Sequence, residues 1–134
     1  MFLAETQIRV RYAETDQMGY VYYGNYPQYY EVGRVEAMRQ LGMPYKKLEE
    51  NGIMLPVSHL NVKYIRPAHY DDLLTIKTTI KKIPEVRIEF EYEIYNEKDV
   101  LLNIGTTTLV FVDLNSGRPT KAPQEMIDSI KKFF

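Results

Sequence analysis

Residues 11–42, RYAETDQMGYVYYGNYPQYYEVGRVEAMRQLG, contain the segment on which the fold prediction rests. A helix is predicted to start at Gly24-Asn25, because asparagine is a strong N-cap and Pro27 lies in the first turn. One face of this helix consists of residues at three- and four-residue spacing, namely Tyr26, Tyr30, Gly33, Ala37 and Leu41. Gly33 and Ala37 are small, so a sheet can approach this face closely. Gly42, followed by Pro44, is predicted to end the helix.

The flanking sequence has the two-residue period of strands. Before the helix, Ile8, Val10 and Tyr12 alternate with Arg9 and Arg11, which predicts the first strand. After a short helix at residues 45–50, further strands are predicted at residues 55–66, 73–83, 86–95 and 100–113, and a final amphipathic helix at residues 123–134. The order predicts an α+β fold in which antiparallel strands wrap around one long helix, as one domain over residues 1–134.

Such a sheet leaves surface uncovered. A single helix covers only part of five strands, and the outer strand edges remain open to pairing with another chain. We therefore expect a homodimer, and beyond it a dimer of dimers, which makes a homotetramer.

Composition excludes several classes of protein. With 134 residues, of which 45% are apolar, the chain can build one core. Zero cysteines exclude disulfides, zinc–cysteine sites and thiol nucleophiles, and the net charge of −1 gives no basic field for nucleic acid. Because neither a long apolar run nor a secretory n-region followed by an apolar stretch occurs, no membrane insertion is expected and the predicted location is the cytoplasm.

Few residues of the sequence are candidates for a catalytic role. The sequence has no phosphate-binding GxxxxGK[ST], no GxSxG nucleophile motif and only two isolated histidines, so no metal site is predicted. Asp16 lies in a loop between the first strand and the helix, where its carboxylate could meet the outward-pointing N–H groups of the helix start. There it could act as nucleophile or as general base, although from spacing alone a structural turn cap is the more common role of an aspartate in a loop.

Tyrosine is concentrated in the same segment. Six of the twelve tyrosines fall between Tyr20 and Tyr30. A tyrosine ring can be buried while its hydroxyl stays in water, so amphipathic packing accounts for the cluster. A pocket or a subunit interface accounts for it as well.

The segment also resembles a known family. The matching text is R-V-x-Y-x-E-T-D-x-x-G-x-V-Y-Y-x-N-Y from residue 9, Y-Y-E-x-x-R-x-E on the helix and Y-I-R-P-A-H-Y-D-D-L-L from residue 64. It resembles the 4-hydroxybenzoyl-CoA thioesterase-like family of hotdog proteins, which includes the acyl-CoA thioesterases associated with the Tol–Pal system. The resemblance implies the hotdog fold, with an antiparallel five-stranded sheet wrapped around a long central helix and a C-terminal helix.

The resemblance also implies roles for three residues. Asp16 stands at the position of the family's catalytic aspartate, and the backbone N–H of Tyr23 at the position that polarises the thioester carbonyl. Gly24 departs from the Tol–Pal-associated enzymes, which often have a histidine there; the glycine is expected to let the substrate approach the backbone closely. The pocket is expected at a dimer interface, with no cofactor, since coenzyme A is part of the substrate.

Four residues are predicted to bind the substrate, namely His59, Lys63, Lys82 and Arg87. The 4-hydroxybenzoyl enzyme has a basic cluster for the CoA nucleotide at the hairpin after residue 83, where this chain reads Pro84-Glu85-Val86. Lys81, Lys82 and Arg87 could supply the cations that a phosphate group needs. A solvated strand edge explains these residues equally well, and His59 could be a structural histidine whose hydrogen bonds are satisfied.

Hydrolysis of an acyl-CoA thioester is the predicted function, with an acyl-carrier-protein thioester as a less favoured substrate. One alternative is a hotdog hydratase or dehydratase. Those enzymes typically carry a histidine five residues after their aspartate, where this chain has Val21. Non-catalytic binding of acyl-CoA is the other alternative. The sequence does not define the length or aromatic character of the acyl group.

Overall fold

A computed structural model describes residues 1–134. The strands are β1 (Phe2–Arg9), β2 (Ile53–Met54), β3 (Val57–Tyr64), β4 (Leu73–Ile80), β5 (Arg87–Tyr95), β6 (Leu101–Val110) and β7 (Val112–Asp113). The helices are α1 (Tyr26–Gln40), α2 (Tyr45–Glu50) and α3 (Gln124–Lys131). Five strands form one sheet in the order β1-β4-β5-β6-β3, and every neighbouring pair is antiparallel. A long helix, this sheet and a C-terminal helix confirm the predicted α+β hotdog architecture.

The central helix α1 lies against the sheet with its predicted face buried. Tyr26, Tyr30, Ala37 and Leu41 are all in the core. Gly33 lies close to the sheet: a Cβ atom there would lie 2.6 Å from Oγ1 of Thr78 on β4. The prediction that small residues let the sheet approach the helix is confirmed.

Two boundaries near the site differ from the sequence prediction. β1 begins at Phe2 and ends at Arg9, and Tyr12 lies in a 3-10 turn with 77% of its surface exposed. The chain leaves the ladder there because Val10 donates its N–H to the carbonyl of Asp72 in a loop. Asn25 precedes α1 as predicted but does not cap it; its side-chain amide donates to the carbonyl of Glu14 at 2.8 Å.

The predicted strand at residues 55–66 is shorter in the structure, where β3 begins after Pro56, which has no N–H to donate, and ends at Tyr64. β3 is an edge strand that pairs only with β6. Nearly every residue of β3 is exposed, including Val57, Leu60 and Tyr64. β3 therefore presents an open edge and apolar side chains on the same segment.

Polar side chains are also buried between α1 and the sheet. The rings of Tyr30 and Tyr92 stack with their centroids 4.3 Å apart, and the hydroxyl of Tyr30 bonds to Asn103. On the next turn of α1, the Nε of Arg34 donates to the hydroxyl of Tyr45 at 2.9 Å. No helix of the structure has the length and apolar character needed to cross a membrane.

Candidate active site

Asp16 lies in a tight loop that closes on itself. Thr15 and Val21 form a bridge, and the N–H of Asp16 donates to the carbonyl of Tyr20 at 2.8 Å. Oδ1 of Asp16 accepts the N–H groups of Met18 and Tyr20 at 2.9 and 3.3 Å. The carboxylate is thus the turn cap that the sequence allowed as an alternative. Oδ2 makes no hydrogen bond within the chain, so one oxygen holds the loop and the other is free for chemistry.

The Asp16 loop forms one wall of a cleft of about 310 Å³. The ten lining residues are Asp16, Met18, Tyr20, Val21, Tyr23, Tyr26, Tyr64, Ile65, Arg66 and Pro67. Most of them are apolar or aromatic, Asp16 is the only carboxylate and Arg66 the only cation.

The start of α1 contributes unpaired N–H groups to this region. A 3-10 turn at Tyr23–Asn25 leads into the helix. The N–H of Tyr22 donates to the carbonyl of Glu14 and that of Asn25 to the carbonyl of Tyr22, whereas those of Tyr23 and Gly24 have no acceptor in the chain. Free N–H groups at a helix start carry partial positive charge. They can therefore stabilise a developing oxyanion.

Tyrosines of the cleft support that helix start. The hydroxyl of Tyr64, at the end of β3, donates to the carbonyl of Tyr23 at 2.9 Å. The rings of Tyr26 and Tyr64 meet edge to face at 5.4 Å. Burial raises the pKa of both phenols, so both stay protonated at neutral pH. The tyrosine cluster thus serves packing and pocket together.

Gly24 lies beside the cleft but does not line it. A Cβ atom at this position would lie 2.8 Å from Cε2 of the Tyr22 ring. The ring of Tyr22 therefore gives a structural reason for glycine here. The role of Gly24 toward the substrate stays a prediction.

The residues predicted to bind the substrate fall into two places. His59, Lys82 and Arg87 line one hollow of about 750 Å³, together with Glu85 and Glu89. His59 is exposed, with Nδ1 2.9 Å from Oγ of Ser58, so one ring nitrogen has a hydrogen-bond partner within the chain.

Lys63 does not join that group. It lines a separate hollow of about 460 Å³, where Lys81 and Glu91 form an ion pair at 3.0 Å. The structure thus brings three of the four predicted residues together.

Three residues near the site were not among the predicted site residues. Arg66 and Tyr64 reach the cleft from the end of β3, and Glu14 holds the start of α1 through its carbonyl. All three stand in the motifs of the family resemblance, Glu14 in E-T-D and the other two in Y-I-R-P. That Tyr64 and Arg66 lie beside Asp16 required knowledge of which strand lies beside the helix.

Comparisons with known proteins identify the family of the chain. Residues 10–130 match the thioesterase-like superfamily. The Bacillus subtilis protein YneP, provisionally named an acyl-CoA thioesterase, is 37% identical over 119 residues, covering 89% of this chain and 86% of that protein. The acyl-CoA thioester hydrolase YbgC of Escherichia coli is 30% identical over 125 residues, covering 93% of each chain.

A solved structure gives the same result. The DHNA-CoA thioesterase of Staphylococcus aureus superposes with a TM-score of 0.94 at 34% identity, covering 99% of this chain and 91% of that one. The chain belongs to the thioesterase-like superfamily. The family resemblance is thereby confirmed, while membership of the Tol–Pal-associated branch stays a prediction.

Proposed function

We propose that this protein hydrolyses acyl-CoA thioesters to a free acid and CoA, with Asp16 as the catalytic carboxylate. The observation that carries the proposal is that a carboxylate with a free oxygen and the 3-10 turn before α1, in which the N–H groups of Tyr23 and Gly24 are unpaired, meet at one largely apolar cleft. The names of the relatives support the same class of enzyme, a thioester hydrolase.

The chemistry begins with the thioester carbonyl at the start of α1. The N–H of Tyr23 donates to the carbonyl oxygen and stabilises the negative charge that develops when a nucleophile adds. Oδ2 of Asp16 then acts in one of two ways: it attacks the carbonyl carbon, giving an anhydride that water hydrolyses, or it takes a proton from an attacking water. In either route water is consumed, the carbon–sulfur bond breaks, and the thiolate of CoA leaves and is protonated.

The reaction needs no cofactor in this proposal, because the reactive thioester belongs to the substrate. The hollow lined by His59, Lys82 and Arg87 is proposed to hold the phosphates of CoA, since its cations suit a multiply charged anion. A Lys82→Gln, Arg87→Gln variant should then raise KM for acyl-CoA but leave the hydrolysis of acyl-N-acetylcysteamine, which has no nucleotide, unchanged. An equal effect on both thioesters would place the phosphates elsewhere.

Lys63 is not grouped with those cations, and its predicted contact with the substrate remains a separate proposal. A Lys63→Gln variant should raise KM for acyl-CoA if the contact exists. An unchanged KM would remove Lys63 from the binding residues.

The open edge of β3 supports a homodimer. Seven of the eight residues of β3 pair with β6 and none pairs on the other side, and Leu60 is 48% exposed. A second copy would satisfy the free edge and cover the exposed apolar residues, and strand residues of that copy would complete the cleft. Leu60→Asp should lower the mass found by light scattering, whereas Leu114→Asp, at an equally exposed turn residue, should not. A monomeric wild type would refute the dimer.

Three further proposals concern the assembly, a second substrate and the cellular location of the protein. A dimer of dimers would appear in the same light-scattering experiment as a mass four times that of the chain. An acyl-carrier-protein thioester would be a second substrate, tested by release of free acid from the acylated carrier. Cytoplasmic location is tested by fractionating cells that express the protein.

The decisive test compares Asp16→Asn with a matched control. Asparagine keeps Oδ1 as an acceptor, so the loop hydrogen bonds survive while the charge is lost. Asp113 makes a similar cap, accepting the N–H of Asn115 at 2.8 Å, and lies outside the cleft. Thiol release should fall by about 10²–10⁴ in Asp16→Asn and stay within about twofold of wild type in Asp113→Asn.

The substrates for this test should include short, long and aromatic acyl-CoAs, among them a dihydroxynaphthoyl thioester because of the solved relative. Equal cleavage by wild type and Asp16→Asn would support the thioester hydrolase class but refute Asp16 as the catalytic residue. If wild type binds acyl-CoA and cleaves none of these thioesters, non-catalytic binding replaces hydrolysis as the function.

A further inference from the structure

Glu14 is a buried carboxylate two residues before Asp16, with 6% of its surface exposed. Its Oε1 accepts the backbone N–H of Arg11 at 2.8 Å and the hydroxyl of Tyr29 at 3.1 Å. Its Oε2 lies 3.4 Å from Nη2 of Arg11. Tyr29 belongs to α1 and is fully buried. The side chain of Glu14 therefore ties the Asp16 loop to the body of the central helix.

The backbone of Glu14 makes a second connection. Its carbonyl accepts the N–H of Tyr22 and the side-chain amide of Asn25, each at 2.8 Å. These two donors flank Tyr23 and Gly24, whose own N–H groups are unpaired. One residue thus contacts both sides of the place where the thioester carbonyl would lie.

The energetic cost of burying a carboxylate indicates that the side chain of Glu14 does more than fill space in the core. A buried carboxylate is costly unless hydrogen bonds compensate for the lost water, and an apolar residue of similar size often packs at least as stably. Burial, reinforced by the charge of Glu14, raises the pKa of Tyr29, so the phenol remains a donor at neutral pH. Compared with an apolar residue, the carboxylate of Glu14 adds hydrogen bonds that fix the position of the Asp16 loop relative to α1.

We infer that Glu14 is a positioning residue, which sets the separation between the carboxylate of Asp16 and the N–H of Tyr23. The inference rests on the proposed function. Catalysis depends on such separations, because a misplacement of about 1 Å can cost about 10²-fold in rate. A residue that acts only in this way affects kcat more than KM.

The test uses one disruptive and one conservative variant. Glu14→Leu removes both acceptor oxygens at similar size, and Glu14→Gln keeps a carbonyl oxygen that can take the place of Oε1. We expect kcat to fall about 10- to 100-fold in Glu14→Leu with KM within about threefold, and Glu14→Gln to recover most of kcat. Thr107→Val is the control, since it deletes a buried hydroxyl that bonds to Tyr92 and should leave kcat unchanged.

A second readout does not depend on turnover. The N–H of Tyr22 should exchange with solvent at least about tenfold faster in Glu14→Leu than in wild type or Glu14→Gln, because its acceptor is no longer held. If Glu14→Leu does not fold, Tyr29→Phe removes one donor from the same carboxylate and should lower kcat about three- to tenfold.

Three outcomes would overturn the inference: unchanged kcat in folded Glu14→Leu, a loss carried by KM alone, or an equal loss of kcat in Thr107→Val. If wild type cleaves no thioester, the proposed function fails instead. The exchange rate of Tyr22 then reports separately whether Glu14 holds the loop, and an unchanged rate would refute that as well.

Discussion

Replacing Gly33 by alanine tests how closely α1 lies against the sheet. The new Cβ would lie 2.6 Å from Oγ1 of Thr78 and 2.8 Å from Cγ2 of Ile76. Both neighbours are β-branched, buried residues of β4, so neither side chain can turn aside. Either the helix or the strand must move.

The size of the effect follows from two opposing contributions. Overpacking a core by one methyl group lowers the free energy of unfolding by about 1–3 kcal/mol. Because the new Cβ would meet two rigid neighbours, we expect a loss at the upper end of this range, about 3 kcal/mol. Alanine is better than glycine in a helix by about 1 kcal/mol. We therefore expect Gly33→Ala to lower the free energy of unfolding by about 2 kcal/mol, or Tm by about 6–8 °C.

Urea unfolding at one fixed protein concentration measures this change, because assembly would make stability depend on concentration. The midpoint should fall while the m-value stays the same. Glu31 lies on the exposed side of α1, and the difference between Glu31→Ala and Glu31→Gly measures the helix-propensity contribution in the same helix. Adding Thr78→Ala to Gly33→Ala should recover part of the loss, since one of the two contacts disappears. A Gly33→Ala protein as stable as wild type after the Glu31 correction would refute the close approach.

Three further predictions concern polar groups around the helix. Thr78→Val should raise the free energy of unfolding by about 1 kcal/mol in urea titrations, since Oγ1 is buried with no partner, and a loss would mean that the hydroxyl is satisfied in solution. Burial raises the pKa of Tyr45 to about 12, against about 10 in an unfolded chain, so the unfolded state loses its proton first and stability should fall between pH 10 and 12. Tyr45→Phe should flatten that decline, and an equal slope in both proteins would contradict the shift. Tyr64→Phe should lower kcat for thioester hydrolysis about three- to tenfold, because the carbonyl of Tyr23 loses one hydrogen bond, and unchanged kcat would show that the backbone alone holds it.

The sequence predicted α1 well because its buried face is defined by residue size as well as by periodicity. Gly33 and Ala37 are needed for contact with the sheet, so their small size was informative. β1 was misplaced because Leu3 is apolar yet exposed, which hides the alternation of Phe2 and Ala4. Nothing in a single sequence distinguishes an apolar residue on the exposed face of a strand from one on the buried face.

Only part of the candidate site was predicted from the sequence. Asp16 and Tyr23 came from the family resemblance, and the structure brings both to one cleft. Tyr64 ends β3 and Arg66 follows it, about fifty residues after Asp16, and no spacing rule relates them to Asp16. Both stand in the Y-I-R-P motif of the family resemblance, but their place beside Asp16 becomes visible only once strand order is known.

The observed turn cap and the proposed catalytic role of Asp16 together explain why spacing alone left its function open. A turn cap and a catalytic carboxylate call for the same residue at the same place, since the amides that hold Oδ1 leave Oδ2 free. A group held by its loop needs little reordering when the substrate arrives, which favours catalysis. Because asparagine can make the same cap, loss of charge and loss of loop structure can be separated at this position. Where Asp16→Asn keeps the fold and loses thiol release, the two roles are carried by different oxygens of one carboxylate.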